Sequence, residues 1–237
     1  CGAIFPRPWP RPCHERRALG LWFGSPYTFP AMGENPTTLV RCVPLTHDRW
    51  PDLERLFGPH GAQAGCWCMW WRQTASEFAA GKGEANRKAL RALAASGNPP
   101  GLLAYVGDVP VGWCAVAPRE SYVRLARSRT LKPVDAQPVW SVTCFFVARP
   151  HRRQGITARL LDAVIAFVEE RGGRIVEAYP IAPASQEYPS AYAYTGLLST
   201  FLAAGFEVVA RPSASRAIVR RAIEPPPRSS GRRRTIR

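Results

Sequence analysis

Residues 147–157, VARPHRRQGIT, decide the fold of this chain. They follow an apolar stretch, residues 139–147, whose β-branched and aromatic residues predict a buried strand. They precede a stretch with apolar residues at spacings of three and four, which predicts a helix. A tight basic turn that opens a helix leaves backbone N–H groups without intrahelical acceptors, and the helix dipole adds partial positive charge there. The pattern therefore predicts an anion-binding turn, with a phosphate as the expected ligand.

The residues on either side of the turn predict a strand, a helix and a second strand. Alternation along the first strand is expected to put Val142, Cys144 and Phe146 on one face. The helix continues to Gly172-Gly173, which is a typical helix end. Residues 174–179 then predict the next strand. The basic turn thus lies at the carboxyl end of a strand, where open sheets tend to bind ligands.

This arrangement resembles the GNAT superfamily of acyl-CoA N-acyltransferases, whose pyrophosphate loop reads Q/R-x-x-G-x-G/A. Arg152 and Gly155 match the first and fourth positions, and Thr157 departs from the last. The resemblance covers residues 38–221. It implies an α/β (α+β mixed) fold with a mixed, mostly antiparallel central sheet and helices on both faces, and acetyl-CoA as the acyl donor. A solvated basic loop without a ligand is the structural alternative.

The resemblance also implies where the donor lies. Pantetheine is expected between two splayed strands, bound by the backbone of Phe145, Phe146 and Val147, with the N–H of Val147 stabilising the oxyanion. The diphosphate is expected on the turn itself, at Arg152, Arg153, Gln154, Gly155, Ile156 and Thr157.

The residues that move protons are less evident. Ser141 stands where some members of the family carry a Glu, and Phe201 stands where many carry a Tyr that acts as general acid. Glu177 and Tyr179 share one face of the second strand, and we predict them as base or substrate anchor and as proton donor, respectively. An ion pair between Glu177 and a nearby arginine is the alternative. Glu120, Tyr192 and Tyr194 are further candidates.

The cysteines do not suggest a metal site. Of seven cysteines, Cys66 and Cys68 form the only close pair, and no second pair or His doublet completes a closed zinc site. We therefore predict no metal, and scattered cysteines fit a reducing cytoplasm.

Trp67, Trp70 and Trp71 predict a core or cleft wall, or an acceptor-lining surface that would suit an amine or other cation by cation–π attraction.

The remaining pattern predicts further elements. Expected strands are 39–45, 101–106, 110–117, 206–210 and 217–221, and expected helices are 49–57, 76–95, 119–129 and 197–204.

Composition divides the 237 residues into one domain and two tails. Residues 1–31 are predicted to be a Pro/Arg-rich disordered extension, with Met32, the first methionine, as the expected native start. Residues 225–237 are predicted to be a basic disordered tail. About half of the net charge of +15 lies in these tails. No apolar stretch approaches the ~18 residues of a membrane span.

These observations favour an N-acetyltransferase that uses acetyl-CoA and a primary amine of a small molecule or a protein. A non-catalytic CoA-binding module is one alternative, because both familiar proton-transfer residues are missing. A basic nucleic-acid-associated protein is another, suggested by Arg232-Arg233-Arg234, although no recognised nucleic-acid motif supports it. Nothing in the sequence predicts the oligomeric state.

Overall fold

The computed structural model describes residues 27–29, 39–183 and 193–224. They form one eight-stranded sheet in the order β1-β2-β3-β4-β5-β6-β8-β7. The strands are β1 Tyr27–Phe29, β2 Val40–Pro44, β3 Gly101–Val106, β4 Val109–Pro118, β5 Trp140–Val147, β6 Ile175–Ala178, β7 Glu207–Ser213 and β8 Arg216–Ala222. Strands β5 and β6 pair in parallel and every other neighbouring pair is antiparallel. The predicted mixed, mostly antiparallel sheet is confirmed.

Helices cover both faces of the sheet, as predicted. They are α1 Trp50–Phe57, α2 Ala75–Gly81, α3 Glu84–Ala95, α4 Val123–Ala126, α5 Ile156–Glu170 and α6 Leu198–Ala203, with 3-10 turns at His47–Arg49, Arg119–Ser121 and Arg149–His151. Helix α5 packs on β2 to β5, and α6 packs on α5. On the other face, α1 packs on β4, and its buried side chains join one core cluster with Leu90 of α3.

Helix α5 lies close to the sheet because its apolar stripe is fully buried. The stripe includes Leu160, Leu161, Val164, Phe167 and Val168, all 0% exposed, and each such side chain contributes roughly 1.5–3 kcal/mol on burial.

A glycine on β4 allows this approach at the first turn of α5. A Cβ at Gly112 would lie 2.8 Å from Cγ2 of Ile156, closer than side chains pack. Because Gly112 lies opposite Val147 in the β4–β5 register, the same contact holds the start of α5 beside the end of β5.

Strand β5 contains a bulge that the sequence pattern did not predict. Its register with β4 shifts between Val142 and Cys144, since Ala115 faces Cys144 and Val116 faces Val142. Val142 therefore packs with Phe145 in the cluster beneath α5, whereas Cys144 and Phe146 pack on the α1 face. The prediction that Val142, Cys144 and Phe146 share a face is wrong.

Strands β5 and β6 pair over three residues and then separate. Trp140, Ser141 and Val142 face Val176, Glu177 and Ala178. Beyond Val142, β5 continues to Val147, whereas β6 ends at Ala178. The carboxyl half of β5 therefore has an edge that β6 does not cover.

Other differences from the predicted elements are local. The helix predicted at 76–95 is two helices that break at Lys82 and Gly83, where Gly residues lower helix propensity. Three residues of the segment 1–31 form β1 on the edge of β2. The rest of that segment and the tail 225–237, including Arg232–Arg234, lie outside the described residues. Among the helices described, none has the length and apolarity needed to cross a bilayer.

Candidate active site

The turn between β5 and α5 has two left-handed residues. After the 3-10 turn, Arg152 is extended (φ −70°, ψ 154°), Arg153 has φ 61° and Gly155, the N-cap of α5, has φ 76°. Nε2 of Gln154 donates to the carbonyl of Pro150 at 3.0 Å and ties the turn together. A left-handed arginine is uncommon, and such outliers concentrate at functional sites.

This turn exposes unpaired backbone donors at the start of α5. The first N–H of the helix with an acceptor is that of Arg159, which donates to the carbonyl of Gly155 at 3.1 Å. Within the described part of the chain, the N–H groups of Ile156 and Thr157 have no acceptor, and no side chain caps the helix. No described residue lies within 4 Å of the Cβ position of Gly155, so this side of the helix start is open within the described ranges. An anion could therefore reach these donors.

The open edge of β5 presents one further donor. The N–H of Phe145 donates to the carbonyl of Tyr194 at 2.6 Å, whereas that of Ala148 donates to Val111 on β4 at 2.9 Å. Because N–H groups alternate in direction along a strand, the N–H of Val147 points to the same side as that of Phe145. No described residue accepts a hydrogen bond from it.

The three strand residues predicted to bind pantetheine thus differ. Phe145 is engaged by Tyr194, and the backbone of Phe146, which lies opposite Trp113, is directed toward β4. Val147 is directed toward the open edge, where its carbonyl accepts a hydrogen bond from Nε of Arg152 at 3.1 Å. That contact joins the first residue of the loop motif to the end of β5.

Glu177 and Tyr179 lie together in a buried network on the sheet face opposite α5. Glu177 is 0% exposed, and its carboxylate accepts from Nη1 of Arg119 at 2.7 Å and from Nε of Arg220 at 2.8 Å. The hydroxyl of Tyr179 donates to Glu177 at 2.6 Å and lies 2.8 Å from Oγ of Ser141. The ion pair raised as the alternative for Glu177 is therefore present, with two arginines.

Burial raises the pKa of Tyr179, and the adjacent Glu177 carboxylate raises it further. The phenol consequently keeps its proton at neutral pH, whereas an efficient general acid has a pKa near the working pH. The assignment of Glu177 and Tyr179 to proton transfer stays a prediction.

The other candidates are dispersed. Phe201 is 0% exposed and packs against Phe145 and Phe206 in the core beneath α5. Glu120 is exposed on a 3-10 turn. Tyr194 is half-buried beside the open edge of β5, and burial raises its pKa. Tyr192 lies outside the described residues.

Five described cysteines are free thiols: Cys42, Cys66, Cys68, Cys114 and Cys144. In the ranges that the structure covers, no three His, Cys, Asp or Glu side chains come together as metal ligands.

The three tryptophans have different environments. Trp67 is 5% exposed and packs between Trp50 and Phe57 in the core. Trp70 and Trp71 instead line a cleft of about 520 Å³, together with Thr74, Arg124, Arg127 and Tyr194. We call it the Trp70 cleft. Its size is within the range of small-molecule sites.

The sequence pattern gave no prediction for the arginines of this cleft. Arg124 stacks on Trp70, with its guanidinium carbon 3.8 Å from the ring centroid. The protein's own cation therefore occupies a position that a cationic acceptor was expected to take. The four arginines in residues 119–129 were the only indication of a basic surface there. Trp70, the partner of Arg124, lies far away in the chain.

Residues 66–188 match the model of the Acetyltransferase (GNAT) family. No curated protein sequence gives a significant match.

Similar solved structures are related only distantly in sequence. The GNAT domain of S. lividans PAT is 15% identical, with 84% of this chain and 97% of that one covered and a TM-score of 0.46. A paia N-acetyltransferase from Thermoplasma acidophilum in complex with coenzyme A is 10% identical, with coverage of 78% and 99% and a TM-score of 0.45. A GNAT acetyltransferase from Listeria monocytogenes 4b F2365 is 10% identical, with coverage of 83% and 100% and a TM-score of 0.48. The family model matches more than half of the sequence, and this chain belongs to the acetyltransferase (GNAT) family.

Proposed function

We propose that this chain is an N-acetyltransferase that moves the acetyl group of acetyl-CoA to a primary amine of a small molecule or a protein. The observation that carries the proposal is the open mouth of α5, whose unpaired N–H groups adjoin the unpaired N–H of Val147 at the edge of β5. One end of this surface suits a diphosphate, and the other suits a developing oxyanion.

The donor binds along this surface. The N–H groups of Gly155, Ile156 and Thr157, with the side chains of Arg152, Arg153 and Gln154, hold the diphosphate. Pantetheine lies along the edge of Phe145, Phe146 and Val147. The N–H of Phe145 donates to the carbonyl of Tyr194 in this structure. When the donor binds, the carbonyl of a pantetheine amide replaces the carbonyl of Tyr194 as the acceptor.

The transfer forms one bond and breaks another. The neutral amine attacks the thioester carbonyl, and the N–H of Val147 stabilises the oxyanion that develops. As the C–S bond breaks, coenzyme A leaves as a thiolate and takes up a proton, while the acetylated nitrogen loses one. Glu177 is the predicted base or substrate anchor, and Tyr179 is the predicted proton donor. A loss of kcat in Tyr179→Phe without a change in the KM for acetyl-CoA supports that assignment, and an unchanged kcat contradicts it.

The test of the donor site is calorimetry with acetyl-CoA. The double variant Arg152→Gln/Gly155→Val loses a charge-assisted hydrogen-bond donor, about 1.5–3 kcal/mol, and puts a β-branched residue at positive φ, about 1–2 kcal/mol. We expect a dissociation constant higher by on the order of 100-fold. A matched control is Gly172→Val/Arg174→Gln, because Gly172 has φ 75° and lies at the other end of α5. An unchanged constant in the first variant, or an equal loss in both, contradicts the donor site.

A non-catalytic coenzyme-binding module is the second candidate. It is favoured by Ser141 and Phe201, which stand in place of the family's base and acid, respectively. Release of free thiol from acetyl-CoA across a panel of amines separates the two, since only the enzyme consumes the thioester. We predict the cytoplasm as the location, which suits the free thiols of the described cysteines.

A further inference from the structure

The Trp70 cleft lies next to the edge of β5 that the proposed function assigns to the donor. Tyr194 joins the two, because its carbonyl meets the N–H of Phe145 and its residue lines the cleft. The other walls come from the segment before α2 and from α4 with the residues after it. The cleft therefore opens beside the place where a thioester would lie.

The charge of the cleft is positive. Arg124 and Arg127 line it, and no Asp or Glu does among the residues that the structure describes. Across the described ranges, no carboxylate forms an ion pair with either guanidinium. Glu77, whose pKa is lowered chiefly by its hydrogen bond with Thr74 and in part by Arg127, is engaged in the capping box of α2. A simple cation would be repelled from this cleft.

Arg124 is held in place by contacts that use only some of its N–H donors. Its Nε donates to the carbonyl of Gln73 at 3.1 Å, its Nη2 donates to that of Thr74 at 3.4 Å, and its plane stacks on Trp70. A guanidinium has five N–H donors, so three remain without an acceptor among the described residues after these two contacts. Burial lowers the pKa of Arg124, as expected for a cation that lacks an anion. The Nε1 of Trp71 is also buried with no acceptor among the described residues.

We propose, on the basis of the proposed acetyl transfer, that the Trp70 cleft is the acceptor site and that it takes an amine that also carries a carboxylate, an amino acid with a flat side chain. Arg124 and Arg127 bind the carboxylate, and the faces of Trp71 and Tyr194 contact the side chain. The amine is then the only cationic part of the acceptor and points out of the cleft toward the edge of β5.

The experiment uses three matched pairs of amines that differ only in the carboxylate: L-phenylalanine and phenethylamine, L-tyrosine and tyramine, L-tryptophan and tryptamine. Binding of the phenylalanine pair is measured without acetyl-CoA by quenching of tryptophan fluorescence, since Trp70 is 39% exposed. Turnover of all pairs, and of spermidine, is measured as thiol release from acetyl-CoA. We expect at least one amino acid to exceed its decarboxylated partner in kcat/KM by about tenfold or more, the effect of one charge-assisted hydrogen bond.

Substitution identifies the residues. Arg124→Gln should reduce that ratio to within about threefold of unity, because a neutral amide makes only an ordinary hydrogen bond. Arg127→Gln, at an exposed residue, should reduce it in the same direction and serves if the first variant does not fold. Arg129→Gln is the matched control, since Arg129 is exposed on the same segment and does not line the cleft.

The outcomes separate the two proposals. Thiol release that is as fast with the decarboxylated amines or spermidine, or a ratio that survives both arginine substitutions, overturns the acceptor inference and leaves acetyl transfer standing. Carboxylate-dependent quenching without thiol release from any amine supports the cleft and overturns the enzyme.

Discussion

The buried network around Glu177 allows a sharp prediction for Glu177→Gln. This substitution keeps the shape of the side chain and removes its negative charge. Arg119 and Arg220 then lose the carboxylate that accepts from both, and the hydroxyl of Tyr179 loses a charged acceptor. Asp135, which pairs with Arg220 at 2.6 Å, is the remaining acid of the network.

The expected loss of stability is large because solvent screens these charges little. The side chains of Glu177, Arg119 and Arg220 are 1%, 12% and 11% exposed. Removing one partner of a buried ion pair costs about 3–5 kcal/mol, because a buried charge is left uncompensated. That is a major part of a typical unfolding free energy of about 5–15 kcal/mol. For a domain of this size it corresponds to roughly 6–20 °C in Tm.

Urea unfolding followed by circular dichroism measures the effect. The matched control is Glu84→Gln, since Glu84 pairs with Arg87 and Lys88 on the surface, with its side chain 59% exposed. We expect a change of at most about 1 kcal/mol there. If Glu177→Gln unfolds with a free energy within about 1 kcal/mol of the wild type, the network does not stabilise the sheet as argued.

Three further predictions follow from packing and burial. Gly112→Ala places a methyl group against Ile156 and should lower the free energy of unfolding by about 1–3 kcal/mol. It should also weaken acetyl-CoA binding, because it displaces the mouth of α5. Calorimetry that finds wild-type affinity for acetyl-CoA contradicts the second expectation. Phe201→Tyr should lower the free energy of unfolding by about 1–3 kcal/mol without raising kcat, since its hydroxyl is buried in an apolar core, and a gain in kcat would show that residue 201 reaches the reacting atoms. Burial raises the pKa of Cys42 to about 12 and that of Tyr122 to about 12. The contribution of these two groups to the free energy of unfolding should thus be full below their pKa values in the unfolded chain, about 8.5 and 10, and should fall as pH rises through those values toward 12. The reason is that the unfolded side chains release protons that the folded ones retain. Equal urea midpoints at pH 8 and 11 would contradict this.

Local pattern was sufficient for the elements around the turn. Helix α5, the hairpin of β3 and β4, and the open turn at Gly155 each follow from residues near one another in the chain. The order of these elements, together with Arg152 and Gly155, also supported the family. Such features are encoded within about 15 residues, where periodicity and glycine positions are direct signals.

Features that depend on distant residues could not be predicted in this way. Both faces of β5 are apolar, so alternation could not reveal the bulge after Val142 that turns Phe145 toward α5. The sequence suggested that an arginine pairs with Glu177, but it could not identify Arg119 and Arg220 as the partners. Arg119 lies on the 3-10 turn after β4, and Arg220 lies on β8. The contact of Arg124 with Trp70 joins two segments separated by α2, α3, β3 and β4, and it puts an arginine on the ring face where a cationic acceptor was expected.

The central claim is that the mouth of α5 holds the diphosphate of acetyl-CoA while Val147 faces the thioester. A crystal structure of the full chain with acetyl-CoA tests it most directly. We predict diphosphate oxygens at about 2.7–3.2 Å from the N–H nitrogens of Ile156 and Thr157, with pantetheine in place of the Tyr194 carbonyl at Phe145. Coenzyme bound elsewhere on the protein, with the mouth of α5 left empty, would contradict the claim.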